Sequence, residues 1–118
     1  MNHNDKRTAE ALRAKPGIQV SRLEIGTTIT LETLDCIYTL KKHPYGNSLV
    51  EVQGTDARFL KPCVGQFMHS QYGKSPAEFT DWIGKSMRPC IRFKGGPIIL
   101  QPVVSARVEG DGWHYDVF

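Results

Sequence analysis

From Ile18 onward, apolar and polar residues alternate with a period of two in run after run, the spacing of a strand with one buried face. Ile18 and Val20 alternate with Gln19 and Ser21, and Gly26 separates them from a second run, Thr28-Ile29-Thr30-Leu31-Glu32. Cys36 to Lys41 and Leu49 to Gln53 form a third and fourth, joined by His43-Pro44-Tyr45-Gly46-Asn47, a loop composition suited to a hairpin. On the first arm Tyr38 and Leu40 share one face, and on the second Val50 and Val52 do, which makes the four core candidates. Gly54-Thr55-Asp56 reads as a turn and Ala57 to Leu60 as a further short strand. Residues 61 to 74 show no period, and Gly65 and Gly73 suggest loop.

Strands return near the C-terminus. Met87 to Lys94 and Pro97 to Leu100 flank Gly95-Gly96, and Val103 to Glu109 and Trp113 to Val117 flank Gly110-Asp111-Gly112, the strongest hairpin signal in the chain. Trp113, Tyr115 and Val117 share a face, expected to point to the core. Between the two β-rich parts, Ser75-Pro76-Ala77-Glu78 has the form of a capping box with proline at the first helical position. Phe79, Trp82 and Ile83 follow at helical spacing and Gly84 fits a C-cap, so one short helix is predicted over about residues 76–83.

Together these elements predict a mostly β domain: a small barrel or a compact sandwich of about six to eight short antiparallel strands with that one helix. A barrel is favoured because it removes exposed edges. The 118-residue length suits one domain. The division expected is a basic N-terminal tail over residues 1–17, weakly helical between Asn4 and Lys15 or partly disordered, and a single β domain over 18–118. The cysteines recur every 27 residues, and Lys61-Pro62-Cys63-Val64 echoes Arg88-Pro89-Cys90-Ile91, but the likeness ends within a few residues and defines no repeat.

Charge changes this picture more than composition does. Residues 1 to 22 hold five bases against two acids, and the other 96 hold ten of each, so the formal charge of +3 resides in the first 22 residues, largely in the tail. Within the balanced part, however, no acid lies between Trp82 and Val108, where Lys85, Arg88, Arg92, Lys94 and Arg107 occur. A strand over Met87 to Lys94 would project Arg88, Cys90, Arg92 and Lys94 from one face and turn Ile91 and Phe93 to the core. Lys85, Arg88, Arg92 and Lys94 are therefore the candidate ligand-binding residues, for phosphates or carboxylates. The same row would also suit a solvated outer face balanced by acids of neighbouring strands. Arg88-Pro-Cys-Ile-Arg92 resembles, over five residues, the Arg-x-x-x-Arg cyclic-dinucleotide signature of PilZ domains, which are small β-barrels. The Asp/Asn-x-Ser-x-x-Gly motif that follows in those domains has no counterpart around Ser105, and membership does not follow.

Catalytic and metal chemistry find little support. Cys36, Cys63 and Cys90 lie too far apart for a paired zinc knuckle, and the odd number prevents complete pairing within one chain. Cys63 with His69, or Cys90 with His114 and Asp116, are the conceivable thiol–imidazole sets, without a surrounding signature. No nucleophile elbow and no phosphate loop occurs. Neither a cofactor nor a metal is expected. No run reaches the length of a transmembrane helix and no secretory signal is visible, so a cytoplasmic protein with reduced thiols is expected. The function read from the sequence is a non-enzymatic binding module whose partner is a nucleic acid or nucleotide, or an acidic protein surface. The alternatives are a structural or protein-interaction domain without a small ligand, and a small Cys/His enzyme.

Overall fold

A computed structural model describes residues 16–75 and 77–118. The expected tail helix at Asn4–Lys15 lies outside the described residues. Eleven strands follow in order: β1 (Gly17–Gln19), β2 (Thr28–Glu32), β3 (Ile37–Lys42), β4 (Leu49–Gly54), β5 (Cys63–Tyr72), β6 (Glu78–Thr80), β7 (Trp82–Gly84), β8 (Met87–Phe93), β9 (Gly96–Ile99), β10 (Ser105–Gly110) and β11 (Trp113–Asp116). All pairings are antiparallel. The main sheet runs β11-β10-β2-β3-β4-β5-β8-β9 with β6 beside β5, and β1 pairs separately with β7.

The period-two pattern is realised directly in β2, β3, β4 and β10. Ile29, Leu31, Tyr38, Leu40, Val50, Val52, Ala106 and Val108 are at most 2% exposed and meet in one core. The sheet does not close into a barrel: β9 and β11 remain its two ends. It is instead drawn around the core by the chain leaving β9. There the Leu100 and Val103 amides donate to the Pro89 and Met87 carbonyls of β8, and the next amide, Val104, donates to Glu32 in β2. One connection thus hands the chain from one arm of the sheet to the other, which buries Leu100 and Val103 fully.

Three local expectations are corrected. The predicted helix over 76–83 is two strands, β6 and β7, broken at Asp81, whose φ is +60°. The Ser75 hydroxyl accepts from the Ala77 amide at 3.2 Å, a local turn and not a helix cap. Two turns of helix give few bonds for the cost of nucleation, whereas here β5 and β1 offer open edges. Phe79 settles opposite Ser70 on β6, and Ile83 opposite Ile18 on β7. The kink is pinned from outside: the Asp81 carboxylate accepts from the Ser21 amide at 2.8 Å and from the Ser21 hydroxyl, and its carbonyl accepts from the Val20 amide.

The second correction concerns Ala57 to Leu60, where Ala57–Phe59 form a 3-10 turn. Asp56 caps it by accepting from the Arg58 amide at 2.9 Å, and this drops Phe59 into the core against Tyr38 and Phe93, with ring centroids 6.1 and 5.1 Å away. The third is the region without period, residues 61–74, which holds the ten-residue strand β5. A bulge between Phe67 and His69 explains the missing pattern. The extra residue switches which alternate side chains face inward, so Gly65 and Phe67 are buried before it and Ser70 after it.

One inward position of β3 carries a charge. Lys42, 5% exposed, donates from Nζ to the Val20 carbonyl at 2.7 Å. Burial pushes its ammonium below the ordinary lysine value, and the nearby Asp81 charge opposes the shift.

Candidate anion-binding face

The middle of the site is β8, held between β5 and β9. Its alternation follows from Met87, Pro89 and Ile91 being buried on one side. The other side carries Arg88, Cys90 and Arg92. Across the ladders Arg92 is opposite Gln66 and Pro97, Cys90 opposite His69 and Ile99, and Arg88 opposite Gln71. One strand further, Glu78 of β6 is opposite Gln71 and Thr80 is opposite His69. At about 3.3 Å per residue, the Arg88 and Arg92 backbones are about 13 Å apart along the strand.

The cations differ in freedom. Arg92 is exposed on the strand face, and Lys94 is exposed in the turn that begins β9. Lys94 thus lies just past the strand that the sequence extended to include it. Lys85 is exposed in the turn between β7 and β8, where Ser86 takes a φ of +66°. Arg88 is half-buried and donates from Nε to the Leu100 carbonyl at 3.3 Å, so it also braces the β9–β10 connection. The fifth cation of the acid-free stretch, Arg107, is on β10 and ion-paired with Asp116 at 3.0 Å. Among the described residues, Lys85, Arg88, Arg92 and Lys94 have no carboxylate within 4.0 Å. The neighbouring acid, Glu78, approaches His69 Nε2 at 3.8 Å. Phe93, facing inward as expected, packs on Phe59 at the end of the row.

Sequence reasoning missed the contribution of β5. Gln66, His69 and Gln71 share this face, but the bulge at Met68 hides them from any search for alternation. His69 Nε2 is buried without a hydrogen-bond partner. Glutamines beside arginines add amide donors to this face.

Cys90 and His69 are cross-strand neighbours, yet among the described residues no cysteine hydrogen-bonds a histidine. Burial pushes the Cys90 thiol up, the Glu78 charge adds to this, and Arg92 opposes it, so the thiol is held protonated rather than activated. Cys63 donates to the Lys61 carbonyl at 3.5 Å, and His114 stands on β11, at the other end of the sheet order. Among the described residues no three of His, Cys, Asp and Glu converge on a point that would hold a metal. No described helix is long and apolar enough to cross a membrane. Comparisons with known protein families, with curated proteins and with solved structures find no match for this chain.

Proposed function

We propose that the chain is a non-enzymatic binding module that grips the phosphate backbone of a nucleic acid through the outer face of β8. The observation that supports this reading is the lack of acidic partners around Lys85, Arg88, Arg92 and Lys94 among the described residues. Cations that merely solvate an outer face are ordinarily interleaved with carboxylates of adjacent strands. Here the side chains directly opposite on β5 and β9 are Gln66, His69, Gln71, Pro97 and Ile99, and the Glu78 carboxylate stands one strand further, on β6. Phe, Tyr and Trp are absent from this face of β5, β6, β8 and β9, so stacking on bases contributes nothing and little base preference follows.

Fluorescence anisotropy with labelled single-stranded and duplex oligonucleotides at two salt concentrations tests the reading. Wild-type protein binds at low salt, and log K falls linearly with log salt. Arg92→Ala with Lys94→Ala, both exposed, lowers the magnitude of that slope by about two, one per lost phosphate contact. No binding at low salt, or a double variant with unchanged slope, overturns the proposal. Equal binding of polyglutamate would overturn the nucleic-acid assignment in favour of an acidic protein partner.

A further inference from the structure

The two ends of the sheet are not alike. At one end, β9 is blunted. The pairings Phe93–Gly96 and Ile91–Ile98 alternate with Arg92–Pro97, and Pro97 supplies no amide to a passing strand. Arg92 and Lys94 add like charge there. At the other end, β11 has neither proline nor lysine, and all four of its residues are exposed.

The parity of its hydrogen bonds is set by Ala106, which accepts from the Val117 amide at 2.8 Å and donates to the Phe118 carbonyl at 3.3 Å. With Gly110 opposite Trp113 and Val108 opposite Tyr115, the β10 ladder uses the backbone groups of Trp113 and Tyr115. Those of His114 and Asp116 point to the free edge. The two faces of β11 also differ. Trp113 and Tyr115 lie on the side of Val108, stacked at 5.8 Å and 16°, and they are 42% and 51% exposed. The sequence pattern placed them in the core, but the hairpin extends past it. On the opposite side Arg107 pairs with Asp116, and Glu109 is opposite His114.

We propose that the chain forms a two-fold dimer by antiparallel pairing of β11 with β11 of a second copy, with His114 opposite the partner's Asp116. Free-edge residues must pair with free-edge residues, which leaves three central registers. One sets His114 against itself and one sets Asp116 against itself, a like-charge contact. In the third, both His114–Asp116 pairs form at once. A row then crosses the interface as Arg107, Asp116, the partner's His114 and the partner's Glu109, in which each acid has a basic or N–H-donating neighbour. Asp116 meets Arg107 through Oδ1, which leaves its second oxygen for the imidazole. On the other face Tyr115 is opposite the partner's Tyr115 and Trp113 opposite the partner's Val117, so the two exposed rings gain cover. The symmetry is isologous, and pairing consumes both edges without leaving a further one of the same kind.

Sedimentation velocity over a concentration series tests this in the full chain. Wild-type protein moves from 13.3 kDa to twice that mass as concentration rises. His114→Pro removes a free-edge amide that β10 does not use, and His114→Asp sets like charges opposite each other. Both abolish the shift while the thermal melt of the dilute protein stays unchanged. Tyr115→Cys forms an intermolecular disulfide on mild oxidation, beyond the wild-type background, because directly opposite residues of a non-hydrogen-bonded pair approach closely. A wild type that stays monomeric throughout overturns the proposal. So does a dimer that survives His114→Pro, and survival in His114→Asp alone overturns the register.

Discussion

Replacing Asp56 by alanine should cost far more stability than a surface carboxylate normally does. Its side chain is 11% exposed and accepts from the Tyr38 hydroxyl at 2.8 Å, the Arg58 amide at 2.9 Å and the Arg58 guanidinium at 2.6 Å. Loss of the cap on the 57–59 turn costs about 1 kcal/mol. The Tyr38 hydroxyl, on a residue 1% exposed, loses its charged acceptor and keeps only the weaker Cys36 thiol beside it, at a cost of about 1 to 3 kcal/mol. Arg58, 53% exposed on its side chain, rehydrates and adds at most about 1 kcal/mol. The sum is about 2 to 5 kcal/mol, a urea midpoint shift of about 1.3 to 3.3 M for an m-value near 1.5 kcal/mol per M.

Because hydrogen bonds from Arg58 hold the Asp56 carboxyl well below the usual carboxylate range, against the opposing effect of burial, the unfolded chain takes up its proton first as pH falls. The stabilisation is therefore complete above the ordinary value of 3.8 and is lost as pH drops through the depressed folded value. Wild type and variant should converge in strong acid. Tyr38→Phe should cost little in the Asp56→Ala background, since the partner is already gone. Equilibrium urea unfolding at neutral and acid pH, read as a double-mutant cycle, measures all of this. A midpoint shift below about 0.5 M at neutral pH, where an m-value near 1.5 kcal/mol per M applies, would refute the argument. Strict additivity of the two substitutions would do the same.

Other substitutions test the packing. At Gly65 an added Cβ would lie 2.7 Å from Ile91 Cγ2 and from the Phe93 ring, so Gly65→Ala should cost about 1 to 3 kcal/mol in urea unfolding. Gly54→Ala should cost more, because its Cβ would lie 2.3 Å from the Ile37 carbonyl oxygen, and backbone cannot rotate away. Lys42, with its folded value lowered, binds fewer protons folded than unfolded just below 10.5. Its contribution to stability therefore rises with pH through that window, and thermal melts of Lys42→Met should lack the rise. Under native conditions alkylation followed by mass spectrometry should label Cys63 before Cys90, whose thiol is 5% exposed and pushed up by burial. Equal rates would contradict that burial.

The face of β8 was legible because Ile91 is buried and Arg88 and Arg92 stand on the other side of the strand, with acids missing for a long stretch on either side, although Cys90 between the arginines is buried too. Its other half was not, since a single extra residue at Met68 shifts the alternation of β5 and removes the signal that would have paired Gln66, His69 and Gln71 with the arginines.

Local pattern by itself determined that this is a β protein, where most hairpins turn, and which residues of β2, β3, β4 and β10 form the core. Those features depend on near neighbours in the chain and on the two-residue repeat of a half-buried strand. Only the tertiary structure decided what residues 75–84 become, since helical spacing of Phe79 and Ile83 is overridden by the open edges of β5 and β1 and by Ser21 holding Asp81. It likewise decided that Trp113 and Tyr115 stay exposed. Alternation tells which face a side chain takes, but whether anything lies against that face depends on how far the sheet extends past its core.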